Sequence, residues 1–125
     1  MGKEEIEILR ERALSSIELA KEALKKRYYD WAIFQVEQAF QLFLKYFLAS
    51  NAGYFPKTHS LRDLIKSCAE IKKELITFCE KYREIIKILE DAYLGSRYFP
   101  FSYDKRLVEK ALNAFEELKQ ILENG

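Results

Sequence analysis

The sequence predicts an all-α fold, an up-and-down bundle of about five helices. The chain has only four glycines and two prolines among 125 residues. The turns that connect strands depend on these residues, so a β-sandwich or β-barrel is excluded. Valine and threonine, which favour strands, occur only twice each. Apolar residues instead recur at steps of three and four along most of the chain, which is the helical period.

The composition limits the kinds of partner that the chain can attract. Lys and Arg total 21 and Asp and Glu total 20, so the net charge is +1. Because no long-range field draws in nucleic acid or an anionic membrane, any anion site must be local. The length is sufficient for one hydrophobic core, and we expect a single domain over residues 1–125.

The N-terminus and the cysteines predict a cytoplasmic protein without a membrane anchor. No apolar run approaches the ~18 residues of a membrane span. The chain begins directly with a charged amphipathic pattern and lacks the apolar core of a signal peptide. Cys68 and Cys79 are consistent with a reducing compartment, and we expect both to be buried apolar thiols.

The first helix is predicted from about Lys3 to Lys26. Glu4 and Glu5 at its start and basic residues at its end complement the helix dipole. One face carries the apolar residues Ile6, Leu9, Ala13, Ile17, Ala20 and Leu24.

A second helix is predicted to begin after Asp30, as its N-cap, and to reach about Ala49 before the stop at Gly53. Its main apolar stripe comprises Ile33, Val36, Phe40, Phe43 and Phe47. Further apolar residues point away from that stripe, namely Trp31, Phe34, Leu42 and Leu48. Such a helix is buried on more than one side, at the bundle centre or at a subunit interface. The remaining polar stripe comprises Gln35, Gln38, Gln41 and Lys45.

The third and fourth helices follow a loop over residues 54–59. Ser60 and Asp63 form a capping box before a short helix that reaches about Glu70. A long helix is predicted from about Lys72 to Leu94, with Gly95 as its stop.

The last helix is predicted from about Asp104 to Glu123. Pro100 prevents the preceding segment from being helical throughout. The inward face of this helix comprises Leu107, Ala111, Ala114, Phe115, Leu118 and Leu122.

The sequence lacks the motifs that several kinds of metal, phosphate-binding and catalytic site require. A single histidine excludes a His-His metal motif, and two cysteines cannot complete a zinc site. The four glycines are too dispersed for a phosphate-binding loop, and no serine-centred motif is present. We therefore predict no metal and no cofactor.

The segment around Arg97 carries the clearest functional signal. Aromatic residues flank this arginine, and Lys105 follows at the start of the last helix. An arginine fork binds phosphate, a helix N-terminus favours the same anion, and aromatic rings stack on bases. These rings are Tyr98, Phe99, Phe101 and Tyr103. Alternatively, the turn packs on the bundle end and Arg97 pairs with a carboxylate such as Asp91.

His59 lies between a kinked loop and a helix start. It is either a structural cap that anchors the loop or a residue that faces a ligand.

The order of four short motifs resembles the HEPN domain family over nearly the whole chain. They are Tyr28-Tyr29-Asp30, Gln38-Ala39 with Lys45, Thr58-His59-Ser60-Leu61, and Arg97-Tyr98-Phe99-Pro100. The resemblance implies a compact helical bundle that usually forms a homodimer. It also implies a possible partner, because many prokaryotic members act with a minimal nucleotidyltransferase as a toxin–antitoxin pair.

Many catalytic HEPN domains are metal-independent ribonucleases with an arginine followed shortly by a histidine. The corresponding positions after Arg97 hold Ser102, Tyr103 and Asp104 instead. We therefore predict a non-catalytic module that binds a nucleotide or RNA. Its site residues are predicted to be Arg97, Tyr98, Tyr103, Lys105, Lys45 and His59.

Two alternatives to this prediction stay open. In a degenerate endoribonuclease, His59, Tyr103 or a partner subunit would replace the missing histidine. The third hypothesis is a helical interaction scaffold.

Overall fold

The structure, a computed structural model, describes residues 1–95 and 102–124. These residues form six helices and no strand, so the predicted all-α bundle is confirmed with one helix more than expected. The helices are α1 (Lys3–Lys25), α2 (Tyr29–Ala52), α3 (Leu61–Ala69), α4 (Glu74–Lys81), α5 (Arg83–Gly95) and α6 (Lys105–Glu123). No helix within the described ranges is long and apolar enough to cross a membrane.

The turn between α1 and α2 corrects the predicted cap at Asp30. Arg27 has a left-handed backbone, with φ of 64°. The Tyr28 carbonyl then accepts a hydrogen bond from the Ala32 amide at 2.9 Å, so the helix begins one residue earlier than the predicted cap. Asp30 lies in the first turn, where its carboxylate still complements the helix dipole.

Helix α2 is the centre of the bundle and packs against α1, α3, α5 and α6. Phe40 is fully buried, with its ring 5.8 Å from that of Phe115 and 6.5 Å from that of Phe78. The apolar residues outside the main stripe divide between core and surface, because Leu48 is buried whereas Trp31 is 56% exposed.

Tyr82 interrupts the long helix predicted from Lys72 to Leu94, so that prediction was wrong. Its backbone, with φ of −110° and ψ of 27°, separates α4 from α5. No glycine or proline stands at this point. The break accompanies tertiary packing, since the Tyr82 ring is only 6% exposed and its side chain is hydrogen-bonded to Glu117 of α6.

Side-chain caps begin α3 and α6, and the glycine predicted to stop α2 does so. The capping box predicted at Ser60 and Asp63 is formed in one direction only, because the Ser60 amide donates to Thr58 Oγ1 at 3.1 Å. The Ser60 hydroxyl accepts from the Asp63 amide at 3.2 Å, and the Asp104 carboxylate accepts from the Leu107 amide at 2.9 Å. Gly53 ends α2 in the left-handed conformation, with φ of 81°.

The two cysteines lie in different environments. Cys68 is buried, and burial raises the pKa of its thiol to about 12. Cys79 is only half-buried, so the prediction of two buried thiols is correct for Cys68 alone.

Candidate functional site

Polar side chains from α2, α5 and the loop over residues 54–60 meet in one cluster inside the bundle. We use the name polar cluster for Glu37, Gln41, His59, Ser60 and Glu90. Two residues of the predicted site, Lys45 and His59, contact this region.

Glu37 is the most deeply buried member, with an exposed fraction of 0%. Its carboxylate accepts hydrogen bonds from Gln38 Nε2 at 2.8 Å and from Gln41 Nε2 at 2.7 Å. Burial raises its pKa to about 7, although the two amide hydrogen bonds oppose the shift. The carboxyl group therefore exchanges a proton near neutral pH.

Gln41 connects α2 to the loop. Its Nε2 donates to Glu37 and also to the His59 carbonyl, at 2.8 Å. The residue is only 5% exposed, which corrects its assignment to a polar surface stripe. A buried amide must find partners within the protein, and these two acceptors supply them.

Glu90 on α5 fixes the start of α3. It accepts from the Arg62 amide at 2.8 Å and from the Ser60 hydroxyl at 3.3 Å. The Arg62 guanidinium also lies 3.7 Å from it. Because these groups belong to the first turn of α3, Glu90 satisfies amide and hydroxyl donors at that terminus.

The anchoring role predicted for His59 is confirmed, whereas a role toward a ligand stays a prediction. Its carbonyl anchors the loop through Gln41, whereas its side chain is exposed. The imidazole stacks on the Tyr93 ring, with centroids 5.0 Å apart and planes inclined by 21°. The loop thereby presents a ring pair at the surface beside α5.

Lys45 lies on α2 and contacts a different aromatic ring of the loop, that of Phe55. Its Nζ is 5.5 Å from the centroid of Phe55, within cation–π distance. Burial lowers the pKa of Lys45, and the carboxylate of Glu37 opposes this shift.

Tyr103 borders α5 from the side of α6. Burial raises the pKa of its phenol, and the carboxylates of Asp30 and Asp91 raise it further. Tyr103 and the His59–Tyr93 pair thus both lie near the last turns of α5.

Lys105 is exposed in the first turn of α6. A surface hollow of about 430 Å³ opens beside that turn. Its lining comprises Ser102, Asp104, Arg106, Leu107 and Lys110. The net charge of this lining is positive, because it contains the cations of Arg106 and Lys110 and the single carboxylate of Asp104.

Arg97 and Tyr98 lie outside the described residues, as does any pairing of Arg97 with Asp91. Within the described ranges, no group of three or more His, Cys, Asp or Glu side chains is arranged to hold a metal ion.

Sequence reasoning missed Glu37 and Glu90. A signal for Glu37 was available, because it occupies a core-facing position of α2 between Ile33 and Phe40. A charged residue at such a position must be buried with polar partners. Glu90 had no comparable signal, since its partners lie in a different helix and loop.

The family model of the HEPN domain matches residues 6–125 of the chain. No curated protein and no solved structure is similar enough to count as a match.

Proposed function

Because the chain belongs to the HEPN family, we propose that it is a non-catalytic module that binds a nucleotide or a segment of RNA. Arg97 is the proposed phosphate-binding residue. The observation that carries the proposal is the stacked His59–Tyr93 ring pair, whose imidazole is exposed, because Tyr93 precedes Arg97 by only four residues in the sequence. Aromatic rings stack on bases, and the phosphate of such a nucleotide is the group that Arg97 is proposed to bind.

The start of α6 supports the same proposal from the other side of α5. Asp104 caps the Leu107 amide, so the groups that favour an anion there are the cations of the neighbouring hollow, Arg106 and Lys110. Lys105 and Tyr103 are proposed to contact the ribose or phosphate there. Lys45, which lies against Phe55, is proposed to help hold the loop beneath the base.

The absence of catalysis is proposed from the residues after Arg97. Attack by a ribose 2′-hydroxyl requires a general base, and Ser102, Tyr103 and Asp104 supply no histidine.

Arg97→Ala is expected to weaken binding by roughly tenfold to a hundredfold. A charge-assisted hydrogen bond contributes ~1.5–3 kcal/mol, which corresponds to that loss of affinity. The measurement is a titration of ATP, oligoadenylate and a short RNA by calorimetry. Arg12→Ala, which removes an exposed arginine from α1, is the matched control and should bind as wild type does. Equal affinity of wild type and Arg97→Ala would reject the site.

One observation favours the alternative of an endoribonuclease. The exposed imidazole of His59 lies beside the last turns of α5 and could act as the general base. Incubation of the purified protein with single-stranded RNA distinguishes the two functions. Cleavage that is lost in both Arg97→Ala and His59→Ala would establish the alternative.

We further propose that the protein is a homodimer that associates through an aromatic patch at the start of α2. We define this patch as Tyr28, Trp31 and Phe34. Tyr28 and Trp31 are 57% and 56% exposed, and the Trp31 and Phe34 rings meet edge to face at 6.2 Å. Exposed aromatic surface of this kind marks sites of association.

Trp31→Glu is expected to raise the dimer dissociation constant roughly tenfold or more, because a charge would be placed in an apolar interface. Sedimentation equilibrium measures the change. Tyr54→Glu alters another exposed ring, 68% exposed in the loop after α2, and should leave association unchanged. A wild-type protein that is monomeric at micromolar concentration would contradict the proposal.

A partnership with a minimal nucleotidyltransferase in a cytoplasmic toxin–antitoxin system is proposed on the family relation alone. Co-expression with such a neighbour, followed by co-purification, tests it. If no nucleotide or RNA binds and a protein partner does, the scaffold hypothesis replaces ligand binding.

A further inference from the structure

A buried amide, that of Gln41, connects the loop over residues 54–60 to α2, in addition to the hydrogen bond of Ser60 to Glu90 on α5. Gln41 Nε2 carries two hydrogens, and its two acceptors are Glu37 Oε2 at 2.7 Å and the His59 carbonyl at 2.8 Å. The side chain of the same His59 stacks on Tyr93 of α5. A rotation of the Gln41 amide would therefore remove the hydrogen bond that positions the backbone of His59, whose imidazole stacks on Tyr93.

The orientation of that amide depends on whether Glu37 carries a proton. An ionised carboxylate only accepts hydrogen bonds, so the Gln41 N–H group faces it. A protonated carboxyl group has an O–H that needs an acceptor, and a buried donor without one is costly. The Gln41 carbonyl oxygen satisfies this donor if the amide turns over, which withdraws Nε2 from the His59 carbonyl.

The charges around Glu37 do not favour one protonation state alone, because they oppose each other. Among the described residues, those that act on it are Lys45 on α2, which favours the carboxylate, and Glu90 on α5, which opposes it. Lys45 lies against Phe55, and Glu90 is engaged by Arg62 of α3. The loop contributes the single imidazole, His59, whose carbonyl is the group that Gln41 contacts.

We propose that Glu37 is a proton-linked positioning residue, whose protonation turns the Gln41 amide and so releases the His59 backbone and its ring pair with Tyr93. The carboxylate form holds the loop against α2, and the protonated form loosens it. The inference concerns the fold of this chain and does not depend on the proposed ligand.

The test is a pH titration between pH 5.5 and pH 8.5 in which NMR spectra are recorded at each pH. The backbone amide signal of Ser60 is expected to shift with a midpoint of about 7, the pKa to which burial raises Glu37. Glu37→Gln, made in the His59→Asn background so that no imidazole contributes, is expected to abolish this shift, because glutamine does not titrate. Gln41→Met in the same background should abolish it as well, because the connecting amide is removed.

His59→Asn is the matched control. An imidazole ordinarily titrates in the same pH range, but the proposed signal passes through the backbone carbonyl, so the shift at Ser60 should persist in this variant. Persistence of the shift at Ser60 when Glu37→Gln or Gln41→Met is combined with His59→Asn would overturn the proposal, and so would its loss in His59→Asn alone. A direct titration of carboxyl-labelled glutamate in the wild-type protein covers the case in which a variant fails to fold. A Glu37 signal that titrates in the usual acid range would also refute the proposal.

Discussion

Replacement of Phe40 by alanine is expected to lower the free energy of unfolding by about 3–5 kcal/mol. The side chain is fully buried where α2, α4 and α6 meet, with the rings of Phe78 and Phe115 beside it. Truncation removes the buried ring and leaves a cavity that the aromatic neighbours only partly fill. Urea denaturation followed by circular dichroism measures the loss.

Leu19→Ala provides the matched control for Phe40→Ala. Leu19 is apolar but 55% exposed on α1, so its truncation is expected to change stability by no more than about 0.5 kcal/mol. Similar losses in the two variants would show that the centre of the bundle is not packed around Phe40.

The stability of the wild-type protein is expected to contain a pH-dependent contribution of about 3 kcal/mol from Glu37. The pKa of its carboxyl is raised from 4.5 to about 7 in the fold. Between these values the native state binds more protons than the unfolded state. Raising the pH through this window therefore favours unfolding, and above it the loss is complete.

Glu37→Gln is expected to remove this contribution, so that the variant gains stability relative to wild type as the pH rises from 5 to 8. Denaturant titrations of both proteins at the two pH values give the difference. Glu18→Gln, which changes an exposed glutamate of α1, should follow the wild-type pH dependence. A difference between wild type and Glu37→Gln that is constant with pH would contradict the assignment.

The helical class and most helix ends could be predicted from the sequence because they depend on residues close together in the chain. The period of apolar residues determined α1, α2 and α6. Ser60 and Asp104 cap the amides that follow them within three residues. Such contacts form within one turn, so the local sequence contains the whole signal.

The candidate site could be predicted only in part. The structure brings two of the predicted residues, His59 and Tyr103, close to the last turns of α5, and their role at a site stays a prediction. Arg97 and Tyr98 remain predictions, since they lie outside the described residues.

The break at Tyr82 and the polar cluster depended on contacts between distant parts of the chain. Tyr82 ends α4 without a helix-breaking residue, while its side chain is hydrogen-bonded to Glu117 of α6. Glu90 caps a helix whose first turn lies 28 residues earlier in the sequence. Glu37 acquires its raised pKa from burial beneath the loop that Gln41 holds. Burial and long-range hydrogen bonds exist only once the helices have packed, and for that reason no local pattern could specify them.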